Sequence, residues 1–165
     1  MDKLDVIQNK IVGIDFLQRI TSQWHITNKK FVFTNGCFDL LHRGHITYLL
    51  QAANLAHHFV VAINSDSSVK KLKGENRPIQ DEKHRALLLA NFAFIDYVVL
   101  FDDETPFELI NKLQPDFLVK GGDYKVDEIV GADVVKKNGG EVIVIPLLEG
   151  FSTTYTIHHI QQLKD

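Results

Sequence analysis

Two histidines three residues apart, His42 and His45, stand where a strand-like run gives way to a helix-like one in FVFTNGCFDLLHRGHITY, residues 31 to 48. Three residues is close to one helical turn, so both imidazoles can face the same side. The chain breaks at Asn35-Gly36 and restarts as a helix at about Gly44. The first turn of a helix leaves backbone N–H groups unpaired and carries the positive end of the dipole. Gly44 has no side chain to keep an anion from those groups. Imidazole donors beside an open helix N-terminus suit a phosphate, above all one gaining charge in a transition state. A single His at a helix start is more often a cap or a packed residue. No carboxylate or Cys stands at helical spacing to complete a metal site. Position favours chemistry, because the ends of parallel strands form the ligand crevice of open α/β sheets.

The elements that must hold this pair follow from periodicity. Leu4, Ile7, Ile11, Ile14 and Leu17 recur at steps of three and four, which predicts one amphipathic helix from residue 3 to about 24. It is expected to pack on the domain or on a second copy of the chain. After Thr27-Asn28, strand signals fall at 30–35, 59–64, 95–100, 116–120 and 141–146. Helical signals fall at 44–56, 81–93, 105–113, 127–137 and 153–163. The run Phe59 to Ile63 is continuously apolar, as in a parallel sheet covered on both faces. The expected fold is α/β: a doubly wound, Rossmann-like parallel sheet of about five strands. Residues 1–28 form an N-terminal helical extension and 29–165 the main domain.

The totals narrow the function classes. With 165 residues, 45% hydrophobic and 24% charged, one globular domain with a real core is expected. A net charge of −3 disfavours nucleic acid or a membrane surface as the main partner. The single cysteine, Cys37, excludes an internal disulfide and fits a reducing compartment, with burial its expected role. The N-terminal stretch lacks the apolar core of a signal peptide, and Asn91 and Asp96 interrupt the most apolar run. A cytoplasmic protein is expected.

Five further stretches carry candidate chemistry. Asn64-Ser65-Asp66 closes the second strand, where Asp66 can cap a helix or face a ligand. VKKLKGENRP reads as a loop gathering Lys70, Lys71, Lys73 and Arg77 around Gly74, either a solvated run or a lid over a polyanion. Arg85 sits early in a helix, where the dipole favours acids, so it needs an anion: a phosphate, or Asp81 or Glu82. Lys120-Gly121-Gly122-Asp123-Tyr124 follows the fourth strand, and its paired glycines allow close backbone approach to a ligand or simply a tight turn. Ser152-Thr153-Thr154 opens the last helix, as a cap or as an anion-binding terminus. His57-His58 and His158-His159 are adjacent pairs that cannot share one site on a helix, and are read as structural or solvent-facing.

HRGH after TNGCFDLLH resembles the H-x-G-H signature of the nucleotidyltransferase superfamily of cytidylyltransferases and related adenylyltransferases. VKGGDY resembles the heptose 1-phosphate adenylyltransferase branch, which makes ADP-heptose for bacterial surface polysaccharide such as lipopolysaccharide. The similarity runs from about residue 29 to 160. It implies an ATP-dependent adenylyltransferase acting on a sugar 1-phosphate, with release of pyrophosphate. The implied catalytic residues are His42, His45, Lys73 and Arg85. The implied nucleotide contacts are Thr34, Asn35, Gly36, Phe38, Gly44, Asn64, Asp66, Lys120, Gly121, Gly122, Asp123, Ser152, Thr153 and Thr154. Arg77 and Tyr124 are implied substrate contacts. Mg²⁺ is expected mostly on phosphate oxygens and water, with Asp39 as the nearest carboxylate. Related cytidylyltransferases carry Arg-Thr-Glu before G-x-S-T-T, where this chain has Leu147-Leu148-Glu149. The lost charge suits an apolar pocket for a purine. A homodimer is the expected assembly. Two alternatives stay open: a CTP-dependent enzyme for glycerol 3-phosphate or another small phosphate, and a nucleotide-binding regulatory module without turnover.

Overall fold

Five short runs rich in β-branched and aromatic residues pair as parallel strands in the computed structural model, which describes residues 2–163. The first residue and the last two of the expected segments lie outside the described residues. The strands are β1 (Phe31–Gly36), β2 (His58–Asn64), β3 (Tyr97–Phe101), β4 (Phe117–Gly121) and β5 (Glu141–Ile145). The helices are α1 (Lys3–Gln8), α2 (Ile14–Ile26), α3 (Arg43–Ala53), α4 (Asp66–Lys73), α5 (Glu82–Ala90), α6 (Phe107–Leu113), α7 (Ala132–Lys137) and α8 (Thr153–Gln162). The sheet order is β3-β2-β1-β4-β5. The chain therefore builds outward from β1 to β3, then returns to lay β4 on the other edge of β1. The connections leaving β1 and β4 part there, which opens a crevice at their C-terminal ends.

Both faces of the sheet are apolar, and each carries its own core. Val32, Phe59, Val61 and Ile63 meet Tyr48, Leu49 and Ala52 of α3 and Ala86, Leu89 and Ala90 of α5. Phe31, Phe33, Val60 and Ala62 meet Leu17 of α2, Ile110 and Leu113 of α6 and Val135 of α7. The alternation along each strand sends successive residues to opposite cores. The expected doubly wound fold is the one observed.

Three expected elements differ. The stripe from Leu4 to Leu17 is not one helix. Ile7 and Ile11 pack into the core under α5, whereas Ile14 and Leu17 pack into the opposite one. No straight helix reaches both faces, so the chain crosses the edge of β3 in extended form. There the Val12 N–H donates to Val98 O and the Val98 N–H to Lys10 O, both at 2.9 Å. Gly13 caps the second helix that results. Lys70, Lys71 and Lys73 belong to the last turn of α4 rather than to a loop, where cations favour the helix dipole. The helix expected over 127–137 is a 3-10 turn at Val126–Glu128 followed by α7. Among the described residues, no helix is long and apolar enough to cross a membrane.

The edge crossing makes Leu17 a core anchor although it lies in the N-terminal segment, with 0% of its surface exposed against 46% for Val6. Leu17→Ala should cost about 2–5 kcal/mol in urea unfolding. Val6→Ala should stay within about 0.5 kcal/mol. Equal effects would contradict this packing.

Candidate functional site

The histidine pair forms the N-terminus of α3 itself. His42 is the N-cap, and its Nδ1 accepts the His45 backbone N–H at 3.4 Å. That bond occupies Nδ1, so a neutral His42 ring carries its proton on Nε2 and presents a donor. The rings stack with centroids 3.9 Å apart and 26° between planes. Burial, then the neighbouring His42 and Lys73 charges, push His45 down to about 4, and burial also lowers His42. The pair is therefore neutral near pH 7 and meets an anion through N–H dipoles. His45 Nδ1 is buried without a hydrogen-bond partner among the described residues. A Cβ at Gly44 would come within 3.0 Å of His42 Nδ1 and 3.3 Å of Phe151 Cβ, so the glycine also leaves room for the cap.

His45 opens on a small, half-open crevice of about 160 Å³ at the strand ends. Asn35, Gly36, Cys37, Phe38 and Asp39 line it from the end of β1, and His45 and Tyr48 from α3. Lys73 enters from the end of α4, Lys120, Gly121 and Tyr124 from the end of β4, and Leu147 and Thr153 from the approach to α8. Strand ends and helix starts thus bring together residues up to 118 positions apart (Thr153 minus Asn35). Thr153 Oγ1 donates to Leu40 O at 3.3 Å and ties α8 to the loop after β1. Ser152 caps α8 by accepting the Tyr155 N–H at 3.0 Å. Gly122, Asp123 and Thr154 adjoin lining residues in sequence without lining the crevice themselves. Leu147 does line it, and its Cδ2 fills the space that a Cβ at Gly121 would need.

Several residues expected at the ligand are engaged by the scaffold. Arg85 is fully buried: its Nε donates to Gln80 O at 3.0 Å, Nη1 to Cys37 O at 2.7 Å and Nη2 to Asp66 Oδ1 at 2.8 Å. Its anion is thus Asp66, rather than a phosphate, Asp81 or Glu82. Asp81 caps α5, and Glu82 Oε2 accepts the Asp66 N–H at 2.8 Å. Ser65, not Asp66, caps α4. Asp39 spends its carboxylate on Arg77 Nε at 2.6 Å and on the Ile79 and Gln80 amides at 2.9 Å each. Burial would raise its pKa, but the Gln80 and Ile79 amides and the Arg77 guanidinium outweigh that and hold it below the ordinary carboxylate value. Its carboxylate anchors the loop after β2 and α4 to the end of β1, with Arg77 as its counter-ion. Thr34 is buried and bonds Val119 O at 2.9 Å and the Tyr48 hydroxyl, joining β1, β4 and α3 from inside. Asn64 is buried and donates to Ser68 Oγ at 3.0 Å.

Two lining residues differ from the sequence expectation. Tyr48 was not among the expected residues, although it stands three after His45 and so shares its helical face. Its hydroxyl is pushed up by burial and is held by Thr34 and by Val119 O at 3.1 Å. Cys37 is partly exposed in the wall rather than a buried filler.

The cytidylyltransferase-like family model matches residues 33–159, which include the whole crevice. The chain belongs to the cytidylyltransferase-like family. The bifunctional protein HldE of Wolinella succinogenes is 50% identical over 154 residues, 93% of this chain and 32% of that protein. The bifunctional protein HldE of Campylobacter concisus is 51% identical over 158 residues, 96% and 32% of the two chains. The chain spans about a third of the length of these curated relatives. The crystal structure of the lipopolysaccharide core biosynthesis protein from Thermoplasma volcanium GSS1 covers 73% of this chain and 97% of its own, with a TM-score of 0.59 and 29% identity. Membership of the cytidylyltransferase-like family implies a nucleotide as substrate.

The depressed His45 has a thermodynamic consequence. Between about pH 4 and pH 6.5 the unfolded chain binds a proton that the folded one refuses. Stability present above pH 6.5 is therefore lost as pH falls toward 4, and the urea midpoint should drop across that window. His45→Gln should flatten that part of the drop. An imidazole titration of His45 at its ordinary 6.5 by NMR would contradict this.

Proposed function

We propose that the chain is an adenylyltransferase that joins AMP from ATP to a heptose 1-phosphate and gives an ADP-heptose. A phosphate oxygen of the sugar 1-phosphate attacks the α-phosphorus in line. The bond from that phosphorus to the β-bridging oxygen breaks, and its electron pair leaves with pyrophosphate. The protein's part is positioning and charge stabilisation, so no covalent intermediate is needed. The observation that carries this reading is the His42-capped N-terminus of α3, which sets a neutral His45 in the wall of a crevice that also holds Lys73 and Lys120. His42 and His45 would donate to the α-phosphate and the leaving group. Lys73 and the α8 N-terminus at Thr153 would hold the β- and γ-phosphates. The resemblance of VKGGDY to the heptose branch supports the acceptor, as does the likeness to bifunctional HldE proteins and to a lipopolysaccharide core biosynthesis protein. Leu147 over Gly121 supports a purine, because it makes an apolar wall where cytidylyltransferases carry an Arg.

The side chains present do not form a seat for Mg²⁺. Asp39 is fully engaged, and among the described residues no group of three or more His, Cys, Asp or Glu side chains converges. The donors that face the crevice are nitrogen atoms suited to anions, so Mg²⁺ is read as part of the nucleotide substrate, on phosphate oxygens and water. The same reading treats residues 1–28 as an extension to a nucleotidyltransferase domain over 29–165, with small-molecule substrates rather than nucleic acid or membrane. It includes a homodimer, for which the apolar groove of Leu4, Ile7, Leu87 and Leu88 is the supporting surface.

Pyrophosphate release in a panel of nucleotides and phosphate acceptors tests the reading. ATP with heptose 1-phosphate should exceed CTP by at least about 10²-fold in kcat/KM. Equal use, or preference for CTP, would remove the adenylyltransferase assignment. Release with no pair would favour a nucleotide-binding regulatory module.

His45→Ala should lower kcat by about 10²–10³-fold while the protein stays folded. Wild-type turnover in that variant would sink the mechanism.

A further inference from the structure

Lys120 is the one crevice cation held only by neutral oxygens. It leaves the end of β4 at the point where β4 and β1 part, and its Nζ donates to the Asn35 carbonyl at 3.4 Å and to the Asn35 side-chain Oδ1. None of the ion pairs among the described residues includes it. The contrast with Arg85 and Arg77 is informative, since each of these is matched by a carboxylate. An ammonium has three N–H groups, and the two acceptors named come from one residue on one side of it. The amide oxygen of Asn35 therefore orients the charge without cancelling it. Lys120 is half-buried, and a partly desolvated charge with no counter-ion is costly, so a structure tolerates it best where a ligand supplies the missing charge.

We propose that Lys120 is a further catalytic residue, an ammonium aimed by Asn35 at the phosphoryl group under transfer, where negative charge develops as the acceptor oxygen adds. This rests on the nucleotidyl-transfer reading above. Asn35 acts as a positioning residue, through Lys120. The pairing also explains an Asn as the penultimate residue of β1: a carboxylate there would keep the geometry and neutralise the ammonium. Burial pushes Lys120 down to about 8, partly offset by Cys37, so the empty site loses its proton at mildly alkaline pH. An arriving phosphate restores that proton. The titratable groups around it are Cys37 after β1, His45 and Tyr48 on α3, Tyr124 after β4, and Lys73 and Asp39 across the crevice.

The test is a set of pH profiles and binding heats for Lys120→Met, Asn35→Asp and Cys37→Ser. Wild-type kcat/KM should fall above about pH 8. Lys120→Met should lose about 10²-fold or more in kcat and flatten that limb. Asn35→Asp should move the limb upward by a unit or more and lose at least about 10-fold, because it ties the ammonium to a carboxylate. A merely structural hydrogen bond would survive Asn35→Asp, or strengthen, with activity intact. Cys37→Ser should keep the limb and move it slightly to lower pH, because the offset from the thiol is lost, and its disappearance there would assign it to the thiol and overturn the proposal. Calorimetry of ATP binding near pH 8, in buffers of different ionisation heat, needs no turnover. It should show proton uptake in wild type that Lys120→Met lacks. Uptake without pyrophosphate release would overturn the reaction reading and leave Lys120 as the proton-taking phosphate ligand. Release unaffected by Lys120→Met would overturn the proposal alone.

Discussion

A guanidinium with no exposed surface, Arg85, is the constraint on which the crevice depends. A charge removed from water must be paired and hydrogen-bonded or the fold loses several kcal/mol. Arg85 meets that demand from three segments at once: Cys37 after β1, Asp66 at the start of α4, and Gln80 before α5. A second knot repeats the pattern beside it, with Asp39 gathering Arg77 and the amides of Ile79 and Gln80. Together they clamp the backbone between β1 and α3 from both sides. The histidine cap then starts where the clamp leaves it. Packing alone fixes helices and strands to a face, but these charge-assisted bonds fix the loop between them.

The same knots set the electrostatics of the site. They consume the nearby carboxylates, so the acids that could neutralise a polyanion site are already committed. What remains facing the crevice is Lys73, Lys120 and the His45 imidazole, whose protonation burial suppresses, with the neutral His42 ring stacked on it. At an effective dielectric of about 20, a unit-charge pair at 4 Å is worth about 4 kcal/mol, against about 1 in bulk water. A protein with a formal charge of −3 thus still presents two lysines without carboxylate partners among the described residues, Lys73 and Lys120, at the strand ends. That asymmetry steers and holds phosphates without any need for a basic surface.

The fold was largely legible because its strands are continuous apolar runs and its helices are periodic. The N-terminal break was not, because Ile7, Ile11, Ile14 and Leu17 keep helical spacing while the chain crosses from one core to the other. Helix α4 was hidden by its lysines, since Val69 is its one buried apolar residue. The histidine cap and the two lysines could be read from local spacing and strand ends. The scaffolding roles of Arg85 and Asp39 could not, because their charged partners lie 19 and 38 positions away and nothing local marks them. Residues that look like phosphate ligands by type can be consumed by tertiary ion pairs, and only the fold distinguishes the two uses.

The central claim is that this crevice transfers a nucleotidyl group in one in-line step. Following separately labelled α- and γ-phosphates of ATP in the presence of heptose 1-phosphate tests it most directly. The α label should appear in the sugar nucleotide and the γ label in pyrophosphate, with inversion when the α-phosphorus is made chiral. A γ label on the sugar, or retention at the α-phosphorus, would contradict the account.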